Sequence, residues 1–350
     1  MATSTLPSSE VSFDAIVLGA GVAAFAAAIR LSMEGARVVV VGLPDAQSRL
    51  ETLHPEATHW LARHDIDAGT PLDQLIAWWG TADPQRQDTS GARIVEHGEL
   101  VAKLAKQATT LGAVVVPACA PSTLGRTGNL WRVDLPERVI TAPSAVDASG
   151  RRRHLGLRLG ARSSTAHDIF CAYWAVETTC EVGTWTEATP SGWWNLSSVG
   201  AKGGLGLFAA VSAMRLLKRR HFSLELEAPN LRALVGREIG QPTIWPCGSS
   251  RLCPSAGPGW IAVGDAAMTV EPLASAGVLR AFRDADLLIK DLHDPRGTEE
   301  RRRAEYSSYL TALSRQYALE TRWPDEVFWS AHRRAHDILA TARPHTPVAT

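Results

Sequence analysis

The stretch Ala15-Ile16-Val17-Leu18-Gly19-Ala20-Gly21-Val22-Ala23-Ala24 decides the fold. Its first four residues read as a buried strand, the two glycines as a turn, and the Ala-rich run through Leu31 as a helix that Gly35 ends. Residues 37–41 form a second apolar strand. Strand, glycine turn, helix and strand within about 30 residues is the pattern of a dinucleotide-binding βαβ unit. Gly19 permits the tight turn and Gly21 lets the backbone approach a pyrophosphate at the positive end of the helix. Ala24 allows the helix to pack closely on its strand. The residue ending the second strand is normally acidic and bonds the adenosine ribose; here it is Gly42, with Asp45 nearby in sequence.

Further along, an irregular stretch precedes a helix at 98–111 and a strand at 113–116. Residues 124–140 read as a hairpin and 145–150 as a short strand and turn. From about 166 to 245 the chain turns aromatic, with strands at 169–176, 192–198 and 205–210 around a helix at 212–220. A last buried strand, Trp260-Ile261-Ala262-Val263, runs into Gly264-Asp265-Ala266-Ala267, then a helix at 275–292 and a charged helical block. The predicted class is α/β, a Rossmann-like cofactor domain (13–160 and 251–295) split by an inserted β-sheet substrate domain (161–250). A helical C-terminal segment (296–340) follows, with disorder expected at 1–12 and 341–350.

Composition excludes several functions. Lys plus Arg equals Asp plus Glu at 36 each in 350 residues, so no basic field holds nucleic acid or an anionic membrane surface. No apolar run reaches the ~18 residues of a membrane span. The Ser/Thr-rich start lacks the basic and apolar segments of a signal peptide, which points to the cytoplasm. The 5 cysteines form no C-x-x-C pair, so neither a disulfide framework nor a metal site is expected. No G-x-S-x-G elbow supports a hydrolase. Trp, at 12 against 4 Tyr, is in an excess that needs a use.

Three segments carry a family resemblance: Gly19-x-Gly21-x-x-Ala24, Val146-Asp147-Ala148-Ser149-Gly150-Arg151, and Trp260 to Ala267. In that order they resemble FAD-dependent aromatic hydroxylases and, more narrowly, tryptophan-halogenase-like flavoproteins. Arg49-Leu50-Glu51-Thr52-Leu53-His54-Pro55 resembles that family's R-x-G-E-x-L-x-P flavin-side loop, one residue shorter. Ser191-Gly192-Trp193-Trp194 is similar to its G-W-W strand, and Glu271-Pro272-Leu273-Ala274-Ser275-Ala276-Gly277 to its D-P-L-S-S-G-G loop. Glu320-x-Arg322-Trp323, Phe328-Trp329 and Arg333 or Arg334 resemble a C-terminal block of the flavoproteins that mature tryptophylquinone cofactors in amine oxidases and dehydrogenases.

The resemblance implies FAD as cofactor and NAD(P)H as its transient reductant. It implies cofactor contacts at Gly19, Gly21, Ala24, Arg49, Asp147, Gly264, Asp265, Pro272 and Gly277. Glu51 and His54 would lie beside the flavin as proton carriers. Trp193 and Trp194, consecutive in a strand, point to opposite faces, one inward and one lining the cavity over the flavin. Trp323, Phe328 and Trp329, at near-helical spacing in a charged segment, read as anchors of the C-terminal helices, or, where exposed, as a dock for a protein substrate. Halogenation is not expected: that chemistry needs a lysine early in the chain, the first here is Lys103, and W-x-W-x-I-P is missing.

The expected function is hydroxylation of an indole ring, of a tryptophan in a partner protein or peptide during quinone maturation. The alternatives are an oxidoreductase of a free aromatic small molecule and a degenerate flavoprotein serving as chaperone or scaffold. Gly42 and the His97-Gly98 pair, where relatives often carry Asp-Arg, motivate the last.

Overall fold

The computed structural model describes residues 9–44, 48–117, 123–136, 138–166, 168–217 and 228–332. They form two compact units. The first runs to Pro71 and adds Gly91–Ala166 and Ser249–Arg302; the second comprises Leu72–Ser90, His167–Gly248 and the chain from Arg303.

The first unit is built on a six-stranded sheet in the order Ala256–Gly257, Trp260–Ala262, Ser144–Asp147, Ala15–Leu18, Val38–Val41, Val114–Val116. All neighbours are parallel except the edge pair Ala256–Gly257 and Trp260–Ala262. Both faces are covered, so these strands read as continuous apolar runs rather than alternating ones. Val17, Val38, Val40 and Val146 face a layer of helices: α1 (Val22–Met33), α3 (His97–Thr110) and α4 (Gly277–His293). Ile16, Leu18, Val39 and Val41 face the antiparallel strands Thr123–Thr127, Leu130–Leu135 and Arg138–Ala142, from which Trp131 and Ile140 are buried.

The helix α2 (Pro55–Arg63) lies in a stretch whose sequence reads as irregular. It is short, and its apolar stripe is only Ala57, Trp60 and Leu61. Tertiary contacts fix it: Trp60 stacks on Phe282 of α4 at 4.1 Å and donates its indole N–H to Asp286 at 3.0 Å.

The second unit is a seven-stranded sheet in the order Val235–Pro246, Ile169–Thr178, Lys202–Ala210, Gly192–Val199, Val182–Thr189, Gln74–Trp78, Gln85–Arg86. It is antiparallel throughout except where Gln74–Trp78 runs parallel to Val182–Thr189. One face carries a core of Trp174, Trp194, Leu196, Leu205 and Leu207 under the helical pieces Val211–Leu217 and Pro229–Arg232. The other face meets the C-terminal segment. There Trp193 stacks on Phe208 at 3.9 Å and donates to the Tyr317 hydroxyl at 3.1 Å, while Trp329 donates to the Thr189 carbonyl at 2.8 Å. Trp323, Phe328 and Trp329 thus act as anchors, with the latter two almost fully buried. The excess of tryptophan is largely used here.

Several boundaries differ from the sequence expectation. Ser9–Ser12 is a strand, not a disordered end, paired in parallel with Arg138–Ala142 so that Val11 packs on the core. Residues 72–90 belong to the second unit because Gln74–Trp78 completes its sheet. The helix α5 (Pro295–Ala318) holds the division, after Arg302, and the helical block pauses at 319–326. The pause has a chemical cause. Glu320, fully buried, accepts from the Gly80 and Arg322 backbone N–H groups and from the Arg322 guanidinium, which fixes a turn in place of a helix. Cys119, Arg333, Arg334 and the 341–350 tail lie outside the described residues.

Within the first unit, Asp284 on α4 is buried, accepts from the Gly264 N–H at 2.7 Å, and stands 3.7 Å from the guanidinium of buried Arg302. Asp284→Ala removes both partners at once and is expected to cost about 3–5 kcal/mol, the usual penalty for orphaning a buried charge. Asp284→Asn, which keeps an acceptor for Gly264, is expected to cost less. Urea unfolding midpoints of the two variants test this ordering.

Candidate cofactor site

The carboxyl ends of three parallel strands bring the turns at Gly19, Ala148 and Gly264 together. In the first of these turns Gly19 has φ +114°, and a side chain there would bring Cβ to 2.3 Å from the Ala148 carbonyl. Only glycine fits that approach. Gly21, the N-cap of α1, opens onto free space: an added Cβ meets nothing within 4 Å. The first turn of α1 has neither a side-chain cap nor an acidic residue. The start of α4 is the same, with Ala276 as N-cap, no capping side chain, and free space beside Gly277. Two long helices therefore present uncapped N–H groups with room in front of them, an arrangement suited to anionic groups.

Around these termini lie Arg151, Arg280 and Asp265. Arg151 stands 3.7 Å from the Asp265 carboxylate, 43% of whose side chain remains accessible. Burial pushes the Asp265 carboxyl up; Arg151, Arg280 and Arg153 pull it back, and Glu51 raises it further. Arg280, on the first turn of α4, has a buried Nη2 that finds no hydrogen-bond partner among the described residues and is 3.6 Å from Asp284.

A compact cluster joins two strands and a helix. Leu50–Leu53 pairs with Arg93–Glu96, which brings Arg49 and Glu51 against His97 at the start of α3. Glu51 Oε1 accepts from Arg49 Nε at 2.7 Å and lies 3.2 Å from His97 Nδ1, while Arg49 Nη2 reaches the imidazole at 3.1–3.3 Å. Burial works against the Glu51 charge. The His97 hydrogen bond and the Arg49 charge outweigh it and hold the carboxyl at about 2. Glu51 is consequently a fixed anion, far too weak a base to take a proton near neutrality.

Other expected site residues are placed differently. Asp147 is fully buried, and its carboxylate is taken up by the backbone N–H groups of Ser149, Leu155 and Gly156 and by the Ser149 hydroxyl, at 2.6–3.1 Å. It therefore braces the turn after its strand instead of facing a cofactor. His54 is exposed and caps α2, accepting the Glu56 N–H at 3.2 Å, so its imidazole has a local structural role. Pro272 starts a single 3-10 turn, Pro272–Ala274, and α4 begins only at Gly277. Ala24 is buried in the packing of α1, and Gly264 begins the turn that carries Asp265. Trp193 and Trp194 do point to opposite faces, but both are buried, at 2% and 0%. The C-terminal segment covers the Trp193 face, and neither tryptophan lines an open cavity as one of the two was expected to.

Gly42 is a positive finding as well as an absence. A Cβ at this position would lie 2.8 Å from the Gly19 carbonyl carbon and 3.0 Å from the Ala20 nitrogen. The glycine turn occupies the room that an acidic side chain needs, and Asp45 lies outside the described residues. The site thus fits FAD at its pyrophosphate and at the α4 end, through the uncapped helices and Arg280, and departs from the common pattern at the ribose. Sequence reasoning missed His97, Arg280 and Asp284. Of these only His97 gave a signal, as a departure from the Asp-Arg pair.

No protein-family profile matches the chain. Over 95% of its length it is 25% identical to LodB of Marinomonas mediterranea, a protein named as an FAD-dependent oxidoreductase, and the match spans 99% of that protein. Among solved structures it resembles the myxobacterial chondrochloren halogenase CndH, an FAD-dependent halogenase (TM-score 0.76, 21% identity, 94% of this chain and 89% of that one). It also resembles QhpG, a peptidyl tryptophan dihydroxylase essential for tryptophylquinone biogenesis (TM-score 0.75, 18% identity, 92% and 79%). The chain shares the fold of these two proteins, α/β with a helical C-terminus. No described helix is long and apolar enough to cross a membrane, and no metal-binding group of His, Cys, Asp or Glu occurs among the described residues.

The depressed carboxyl of Glu51 ties stability to pH. Its stabilising contribution is complete above the ordinary value of 4.5 and is lost as pH falls toward about 2. Relative to Glu51→Gln, the wild type is expected to be more stable by about 2 kcal/mol at neutral pH, allowing for partial exposure, with the gap closing below about pH 4. Denaturant titrations at stepped pH measure it.

Proposed function

We propose that this protein is an FAD-dependent monooxygenase that hydroxylates an indole ring, that of a tryptophan in a partner polypeptide, with NAD(P)H as transient reductant. The observation that carries the flavin part is the pair of uncapped helix N-termini at α1 and α4, with the buried Arg280 Nη2 beside them. The similarity to LodB along nearly the whole chain supports the same cofactor class. The polypeptide substrate rests on analogy: a peptidyl tryptophan dihydroxylase shares the fold, and the Glu320-x-Arg322-Trp323 block is present.

Bound FAD, once reduced, supplies dioxygen activation, with one oxygen atom passing to the ring and the other leaving as water. The chain does the holding. The N–H groups of α1 bind the pyrophosphate, and Arg280 and Arg151 neutralise its charge. The N-terminus of α4 stabilises negative charge on the flavin ring. Glu51 stays ionised and orients a donor instead of moving a proton.

Hydroxylation is preferred over halogenation because of where the first lysine stands. Lys103 lies on α3 with its ammonium on the Asp67 carbonyl at 2.6 Å and Glu99 at 2.8 Å, so it is held by its own unit rather than available to carry an oxidant.

The test starts from the visible spectrum of the purified protein after adding FAD. Bands near 370 and 450 nm, the roughly expected positions for oxidised flavin, are predicted. The reduced holoprotein in air, given a tryptophan-containing peptide, is expected to add one or two oxygen atoms to it by mass spectrometry. A protein that binds no FAD overturns the reading and leaves the scaffold alternative. Oxidation of free indoles alone moves the substrate to small molecules, and a halogenated product with halide present overturns hydroxylation.

A further inference from the structure

The first unit carries a groove that the turns at Gly19, Ala148 and Gly264 do not use. It has a volume of about 500 Å³. Its apolar walls are Leu124 and Trp131 of the antiparallel strands, Leu155 and Leu159 of the short helix His154–Arg158 and its C-cap, and Pro254 and Trp260. Leu124, Trp131, Leu155 and Trp260 belong to the core on the face of the six-stranded sheet away from α1, α3 and α4. A further wall, Gly257 and Pro258, precedes the strand Trp260–Ala262, so it stands at the opposite end of that strand from the turn that carries Asp265.

Two arginines line this groove and, among the described residues, no acidic one does. Arg126 is held in place: its Nη1 donates to the Pro258 carbonyl at 3.2 Å, and its guanidinium lies 5.5 Å from the centre of the Trp131 ring. Its Nε and Nη2 make no hydrogen bond among the described residues. Arg158 is exposed and makes neither a hydrogen bond nor an ion pair there. The Trp131 indole N–H is taken by the Gly259 carbonyl at 2.6 Å, so that ring offers the groove only apolar surface. Small-molecule sites are concavities of roughly 300–1,000 Å³, mostly apolar, with a few placed polar groups. Guanidinium groups that face no carboxylate of their own chain match an incoming one through paired N–H donors. A second anionic group on the ligand would meet only apolar wall and stay unpaired. We propose that this groove is a second ligand site, for a small apolar monocarboxylate whose hydrocarbon body lies against the apolar walls and whose carboxylate pairs with Arg158 and the unused edge of Arg126. The site does not depend on the flavin reading.

The experiment titrates 1-naphthylacetate, a compact apolar monocarboxylate, and 1-naphthaleneacetamide, its uncharged counterpart, into the protein by calorimetry, with excess FAD and without it. Naphthylacetate is expected to bind at one saturable site, equally in both cases, and about tenfold more tightly than the amide, the size of one charge-assisted hydrogen bond. Arg158→Gln is expected to lose about tenfold in affinity for the acid and to leave the amide unchanged. Leu159→Glu brings a like charge to the groove and is expected to weaken the acid about tenfold or more. Leu157→Glu places the same charge on a neighbour that does not line the groove, and is expected to stay within about threefold of wild type. Leu157 and Leu159 are 46% and 45% exposed and Arg158 is exposed too, so these substitutions spare the core. Circular dichroism with a melting curve confirms the fold of each variant. The proposal is overturned by no saturable binding of the acid up to about 10 mM, by equal binding of acid and amide, or by loss of acid binding when FAD is added. Wild-type affinity in folded Arg158→Gln or Leu159→Glu, or an equal loss in Leu157→Glu, places the ligand elsewhere and also overturns it. If Leu159→Glu does not fold, Arg158→Gln decides alone.

Discussion

The first unit depends on the extension of its strand ladder past the strands themselves. The Ala148 N–H bonds to the Leu18 carbonyl at 2.8 Å, Gly19 to Val41 at 2.9 Å, and Val263 to Asp147 at 2.9 Å. These bonds carry the parallel register one residue beyond each strand and bring three turns against one another. The glycine turn, the turn at 148–150 and the turn at 264–266 meet because the backbones are locked side by side, with the Gly19 Cα close on the Ala148 carbonyl. The arrangement around these turns then follows as geometry. α1 leaves the glycine turn with its N-terminal N–H groups uncapped, and Asp284 reaches back from α4 to hold the Gly264 end of the third turn. It is the general arrangement of open α/β sheets, in which ligands bind at the carboxyl ends of the strands.

Much of this was legible in the sequence because its signals are local. Ala15–Leu18, the glycines and the apolar run at 260–262 each announce an element within a few residues, and their order fixes the parallel sheet. What depends on contacts distant in sequence was not legible. The motif residue Asp147 reads as a cofactor ligand, yet the backbone groups of Leu155 and Gly156 come close enough to use its carboxylate fully. His54 reads as a proton carrier, but the helix it caps was invisible because so short a segment forms only on the support of α4. Glu51 was found and its role misread, since the strand pairing that sets His97 and Arg49 on its carboxylate links residues 48 positions apart.

The second unit follows a different logic. Its strands alternate, so the two adjacent tryptophans Trp193 and Trp194 were correctly assigned to opposite faces. The burial of Trp193 comes from the C-terminal segment, where Tyr317, Phe328 and Trp329 pack edge to face at 5.2–5.9 Å, and that of Trp194 from the core on the opposite face. The hydrogen bonds of the three indoles Trp79, Trp193 and Trp329 all stay within that cluster or go to the adjacent backbone. The Glu320–Arg322 pair locks the cluster to the Gly80 turn. The tryptophan-rich composition is therefore a statement about packing before it is one about substrates.

Gly42 also has a bearing on ancestry and design. A carboxylate at the end of the second strand is not one substitution away from this sequence, because the first atom of any side chain there meets the backbone of the glycine turn. Reacquiring it requires the turn to shift in the same step, so the two positions are locked in sequence space. An engineer who wants a side chain at this position has first to rebuild the turn at Gly19 and Ala20.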